Sequence, residues 1–242
     1  MFGKLAAQGI ASGNVSPGVV QLQRASRSLD APATSASNTY APQGIGPTPR
    51  SERGAATRER ILQAAARAFD RSGYMGVNLN NVVGELGLTK GALYYFFPTK
   101  ESLASEIVRR HTEAFEPVAR AALAEHDDLL DALIDLGRGM ADKFANDDVT
   151  RAGTRLLTER MLIKAELPEP FIEWIARITA LLQAGQERGQ VRADVDAAAT
   201  AQMLVSYFYG AQTLSAQFTN HQDLRSRVEN FWVMAEPWLR PR

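Results

Sequence analysis

The sequence predicts an all-α protein built as a small N-terminal helical unit followed by a larger helical domain. Two observations carry this. From Ala55 onward apolar residues recur at three- and four-residue spacing, and the breaks between these runs are rich in cap and turn residues. No stretch alternates convincingly as a strand, since "QVRADV" is short and lies between two strong helical patterns. At 242 residues and 26.5 kDa the chain has room for one large domain or two small ones.

The chain opens differently. Residues 1–53 are rich in Ser, Ala, Gly, Pro and Thr and show no sustained apolar period. Such a segment buries too little surface to offset its ordering entropy, so a disordered extension is expected there. Its first residues, "MFGKLAAQGIASG", make a weak secretory h-region. In the first helix Ile61, Leu62, Ala65, Ala68 and Phe69 share a face, and Gly73 ends it. Asn78 is a good N-cap for the second, whose stripe is Val82, Val83 and Leu86, and Gly87 supplies the turn. Thr89 caps a third, short helix, in which Leu93 and Phe97 face a common core. Pro98-Thr99 starts a fourth, with Glu101 in its first turn, running to about Phe115 before Pro117. Five more helices are expected over Asp127–Phe144, Thr150–Ala165, Pro170–Glu187, Asp196–Phe218 and Leu224–Leu239.

Composition excludes several chemistries. There is no cysteine, which removes disulfides, thiol catalysis and Cys-based metal sites and fits a reducing cytoplasm. Histidines fall only at 111, 126 and 221, without metal-ligand spacing, and no Ser-His-Asp or Glu-x-x-His arrangement is visible. A helical-bundle enzyme is therefore disfavoured, and no cofactor or metal is expected. No apolar run approaches the roughly 18–20 residues that span a bilayer. The net charge is +0, so nucleic-acid binding would need a local basic patch.

Such a patch exists. Two short helices joined at Gly87 after a longer packing helix have the spacing of a helix-turn-helix, whose second helix lies in the major groove. Between Gly87 and Lys100 there are two lysines and no acid. Thr89 can donate to a phosphate, Lys90 and Tyr94 share a face, and Gly91 and Tyr95 share the next one. Gly91 lets the backbone approach closely, the tyrosines offer hydroxyls and rings, and Lys100 adds a second phosphate contact.

The run "TRERILQAAARAFDRSGYMGVNLNNVVGELGLTKGALYYFFPTKESL" (Thr57–Leu103) resembles the DNA-binding domain of the TetR family of bacterial repressors. The resemblance implies a helix-turn-helix domain over 54–99 and a ligand-binding and dimerisation domain over 100–242. It implies a homodimer on a near-palindromic operator, with Thr89, Lys90, Gly91, Tyr94, Tyr95 and Lys100 as DNA contacts. Where many members carry a histidine after the tyrosine pair this chain has Phe96, so a phosphate contact from that position is lost.

Further on, "RAGTRLLTERMLIKAELPEPFIEW" (Arg151–Trp174) is similar to the γ-butyrolactone receptors of Streptomyces-type actinomycetes, with their "RAG-R-L" run and Pro-Phe-x-x-Trp element. That implies release from the operator by a butyrolactone, butenolide or furan-type signal, in control of secondary metabolism such as antibiotic biosynthesis. The expected ligand residues are Trp174, whose indole can flank a flat ring, with Phe171, His111, Tyr207, Gln212 and Thr213. His111 reads equally well as an exposed helix residue, and Gln212 and Thr213 as partners of each other. The helix Asp196–Phe218 is apolar nearly all round, and Val228, Phe231, Trp232, Ala235 and Leu239 form a stripe on the last helix. Together the two helices are expected to build a four-helix dimer interface. Two other readings remain open: a repressor answering a different small apolar ligand, as in efflux control, and a receptor-like paralogue that binds no signal.

Overall fold

The computed structural model describes residues 52–242, so the expected extension lies outside the described residues apart from its last two positions, which are already helical. Among the described residues there are nine α-helices and no strand. They are α1 (Glu52–Gly76), α2 (Leu79–Glu85), α3 (Lys90–Phe96), α4 (Lys100–Glu125), α5 (Leu129–Asn146), α6 (Asp148–Thr158), α7 (Pro170–Glu187), α8 (Ala197–Thr219) and α9 (Leu224–Leu239). A single 3-10 turn, Arg160–Leu162, follows α6.

The helix starts follow cap chemistry. Side chains of Asn78, Thr89, Thr99, Asp128, Asp147 and Asp196 each accept a backbone N–H from the first turn of the helix they precede. Each such bond satisfies an orphan donor and is worth about 1 kcal/mol. Gly87, at φ 66°, makes the left-handed turn between α2 and α3.

Two helices differ from expectation. α4 does not stop before Pro117 but runs through it to Glu125. A proline in a helix interior costs about 3 kcal/mol. Here Phe115 and Ala122, on either side of it, are both buried in the core of the C-terminal half, and that packing holds the helix together. The helix expected to reach Ala165 ends at Thr158, because Ile163 and Leu167 leave helical register to enter the core beneath the helix-turn-helix.

That first core ignores the division expected at residue 100. Ile61, Leu62 and Phe69 of α1, Leu93 of α3 and Phe97 beyond its end pack with Leu103 and Ile107 of α4. Leu156 of α6, 100 residues along the chain from the first turns of α1, is as fully buried in the same cluster. α6 is thus wedged between α1 and α4. Gly153 permits it, since a Cβ there would overlap the His111 side chain on α4.

A buried charge reinforces the junction. Glu106 of α4 is 1% exposed and meets the guanidinium groups of Arg58 at 3.0 Å, Arg109 at 2.8 Å and Arg110 at 3.2 Å. Burial alone would raise its pKa, but hydrogen bonds from Arg109 and Arg58 outweigh that and hold it at about 2. The second core, built from α4, α5, α7, α8 and α9, centres on Phe115, Leu130, Phe144, Leu182, Leu224 and Trp232.

Candidate functional site

α3 presents its polar edge to solvent. Leu93 and Phe96 hold it to the core, while Tyr94 is 46% and Tyr95 57% exposed. Lys90 and Gly91 lie on the same open side. The Thr89 hydroxyl accepts the Ala92 N–H at 3.2 Å, which leaves its own proton free to donate outward. Phe96 turns inward and stacks edge-on against Tyr95 at 4.9 Å.

Lys100 is placed differently from its neighbours. Its ammonium donates to the Val77 carbonyl at 2.6 Å and lies 4.7 Å from the centre of the Tyr74 ring. Burial lowers its pKa. The side chain pins the α1–α2 connection, and only its remaining N–H groups are available to a phosphate.

Five of the six residues expected to meet a ligand surround one cavity between α4, α5, α6, α7, α8 and α9: His111, Phe171, Trp174, Tyr207 and Gln212. Its empty space, including what opens to solvent, is about 850 Å³, and among the described residues no Asp, Glu, Lys or Arg lines it. Thr213 lies outside this lining. Its hydroxyl accepts from Gln212 Nε2 at 2.9 Å and donates to the Tyr209 carbonyl at 2.8 Å, so it orients the glutamine instead. Trp174 is half-buried, edge-on to Phe115 at 5.7 Å, and lines the cavity while packing against the second core. Tyr207 stacks on Phe231 at 3.9 Å and ties its hydroxyl to the Arg227 carbonyl at 2.8 Å. Phe171, also in the lining, is 39% exposed and edge-on to Tyr209 at 5.3 Å.

His111 is buried rather than exposed. Its ring edges onto Phe115 at 4.9 Å, its Nε2 lies 3.5 Å from Thr154 Oγ1, and its buried Nδ1 has no hydrogen-bond partner among the described residues. Desolvation lowers its pKa to about 4, against smaller opposing effects of the Thr150 backbone and Asp147.

Sequence reasoning passed over Phe115, Tyr209 and Trp232 as cavity residues. Phe115 was accessible as the i+4 neighbour of His111. Tyr209 was accessible within the aromatic run Tyr207-Phe208-Tyr209. Trp232 was assigned to a partner-facing stripe, and that assignment is corrected: Val228, Trp232 and Leu239 are buried within the chain. The outward apolar residues of α9 are Val233, Met234 and Trp238, beside Met203, Leu214 and Phe218 of α8. Both faces of α9 are apolar, so periodicity could not tell which one turns inward.

This arrangement matches known proteins. Residues 61–107 match the family model for bacterial regulatory proteins of the tetR family, and residues 128–239 match the tetracyclin repressor-like C-terminal domain. The A-factor receptor protein of Streptomyces griseus is 33% identical over 172 residues, 71% of this chain and 59% of that protein's own length. A solved γ-butyrolactone receptor (ArpA-like protein) is 32% identical over 78% of this chain and 90% of its own, with a TM-score of 0.68. CprB from S. coelicolor A3(2), solved with its biological operator sequence, is 33% identical over 78% of this chain and 91% of its own, with a TM-score of 0.70. The fold is that of a helix-turn-helix protein with an internal cavity, and among the proteins matched are the HTH-type transcriptional regulators LmrA of Bacillus subtilis and TtgR of Pseudomonas putida. The chain belongs to the TetR family.

The buried histidine makes a pH dependence expected. Between pH about 6.5 and about 4 the unfolded chain binds a proton that folded His111 refuses. Its contribution to stability is therefore complete above pH 6.5, falls as pH drops through that window, and levels off below pH 4. His221, also depressed by burial, acts in the same direction. Urea midpoints at pH 7.5 and 5.0 should differ less in His111→Gln than in the wild type. An identical difference in both proteins would show that His111 titrates normally.

Proposed function

We propose that this protein is a ligand-released transcriptional repressor of the cytoplasm, whose inducer is a small neutral molecule of butyrolactone, butenolide or furan type. One observation carries the reading: an uncharged, largely apolar cavity whose walls include α4 and α6, the helices that also form the core under the helix-turn-helix. With no charge on its lining, the cavity disfavours cationic drugs and phosphorylated metabolites. The indole N–H of Trp174 and the amide of Gln212 suit a ligand with one or two hydrogen-bonding oxygens. The likeness to the A-factor receptor and to a γ-butyrolactone receptor favours the same class.

On the DNA side, α3 would enter the major groove with Lys90 and Thr89 on phosphates and Tyr94 and Tyr95 towards base edges and backbone, Gly91 allowing the approach. Lys100 would contribute through the N–H groups left free by Val77. Two such helices, spaced by a homodimer, would read a near-palindromic operator. The exposed apolar residues of α8 and α9, Met203, Leu214, Phe218, Val233, Met234 and Trp238, are the kind of residues such a dimer would cover.

Lys90→Ala should weaken binding to a duplex selected by the wild-type protein and lower the salt slope by about one unit, because one phosphate contact is lost. Tyr94→Phe should cost roughly 1–3 kcal/mol in the same titration if its hydroxyl reaches the DNA. Unaltered affinity in both folded variants would remove α3 from the interface.

For assembly, Met234→Glu with Trp238→Glu should give monomers by sedimentation at micromolar concentration, whereas changes at buried Trp232 should act on folding. A double variant that stays dimeric would place the interface elsewhere.

Trp174→Ala should leave operator affinity nearly unchanged while removing release by a γ-butyrolactone, since the residue acts on the difference between two states. Loss of DNA binding and stability together would make Trp174 a core residue. Normal release would place the ligand elsewhere.

A further inference from the structure

The first turns of α1 carry cations that no carboxylate neutralises. Arg53, Thr57 and Arg60 follow one another at helical spacing and share one side of α1. Arg58 points elsewhere, onto the buried Glu106 at 3.0 Å and over the Phe97 ring at 4.9 Å. Arg53 and Arg60 are both exposed, and among the described residues neither side chain has an acid as partner. Even the acids nearest in sequence to the stripe and its turn, Glu52 and Glu85, bond to neither. The rest of the protein treats arginine differently. Every arginine within α4, α5, α6, α7 and α9 lies within ion-pair distance of an Asp or Glu.

Arg60 also fixes where the stripe lies. Its Nη2 donates to the Leu86 carbonyl at 3.2 Å, just before the Gly87 turn. At the other end of α2 the Lys100 ammonium donates to the Val77 carbonyl at 2.6 Å. A cation therefore sits on a carbonyl at each end of α2, and each keeps N–H groups that no acceptor among the described residues takes. Only Gly87 and Leu88 separate Leu86 from Thr89, the cap of α3, so the Arg60 guanidinium lies beside the start of that helix. Arg53 follows about 10 Å further along α1.

We propose that this stripe is a second DNA-contacting edge, on which Arg60 and Arg53 meet operator phosphates alongside α3. Charge complementarity favours this partner, and the edge is continuous with the α3 surface through the Leu86–Gly87 turn. An exposed guanidinium gains little in water, whereas on DNA it releases condensed counterions. Thr57 takes no part as a donor, because its hydroxyl proton goes to the Arg53 carbonyl at 2.9 Å. The two arginines add affinity and fix register without reading sequence, since phosphates are alike at every base pair. This edge depends on α3 being the recognition helix.

The experiment is an anisotropy titration of the full chain on a duplex selected by the wild-type protein, at KCl concentrations of about 50–200 mM. Arg53→Gln and Arg60→Gln should each lower the slope of log affinity against log salt by about one unit. Each should also weaken binding about eightfold in about 0.1 M salt, and the double variant should lose about two units of slope. Arg60→Lys keeps the charge and should keep the slope. Lys90→Ala should lower it, and Arg188→Gln, at an exposed arginine of the C-terminal half, should not. If Arg60 only holds the turn, Arg60→Gln weakens binding by one factor at all salt concentrations, and that result overturns the proposal. Arg53 has no side-chain hydrogen bond or ion pair to lose among the described residues, so its variant tests the charge alone. Unchanged slopes in both α1 variants beside a lowered slope in Lys90→Ala take α1 off the DNA and leave the α3 reading standing. Unchanged slopes in all three remove both. An equal loss in Arg188→Gln traces the effect to net charge and also overturns the proposal.

Discussion

The structure depends on how closely α6 can approach α4. At Gly153 the α6 backbone rests directly on the His111 side chain, leaving no space for even one methyl group. This contact seats an 11-residue helix from the C-terminal half between α1 and α4. It also sets the rotation of α6. One side sends Val149, Ala152, Leu156 and Leu157 into the core under the helix-turn-helix, and Thr154 faces the cavity. Arg151, Arg155 and Glu159 are left over the end of α1. A bulkier residue at 153 would displace all three sets together, because close-packed interiors pass strain on rather than absorb it.

The same crossing explains the burial of His111. Pressed against α6 on one side and Phe115 on the other, the imidazole cannot be hydrated when charged, and it stays neutral down to about pH 4. Glu106, five residues earlier on the same helix, is buried just as deeply but remains ionised, because three guanidinium groups surround it. The two residues differ in what their neighbours donate. A buried charge is tolerated at the junction with α1, where it fixes the start of α4, and none is present where α4 meets the cavity.

Much of this was legible in the sequence, and what was not has identifiable causes. Helix starts were readable because Asn78, Thr89, Thr99 and Asp196 act on bonds two or three residues away. The end of α4 was misread because Pro117 is a local signal, whereas the packing of Phe115 and Ala122 that overrides it is not local. At the candidate site, the cavity members Trp174 and Tyr207 stood out as aromatics in apolar helices. Their neighbour Thr213 differs from Gln212 only by one step around the helix, and that step takes it off the cavity wall. The grip of Glu159 on Tyr74 joins residues 85 positions apart, and nothing in the sequence near either residue announces it.

The energies involved separate the parts that hold the fold from the parts that can respond. A coupling between two sites typically amounts to 1–3 kcal/mol, the scale of one to three ordinary hydrogen bonds. Breaking a buried ion cluster such as that at Glu106 costs about 3–5 kcal/mol, more than a small ligand has to spare after its own ordering costs. The Glu106 cluster and the apolar core that α6 shares with α1 therefore stay intact in either state and keep the two halves joined. The bonds at the end of α6 are few, partly exposed and neutral on the Tyr209 side. Each is worth about 0.5–1.5 kcal/mol, so such bonds are the parts of the junction that yield most readily.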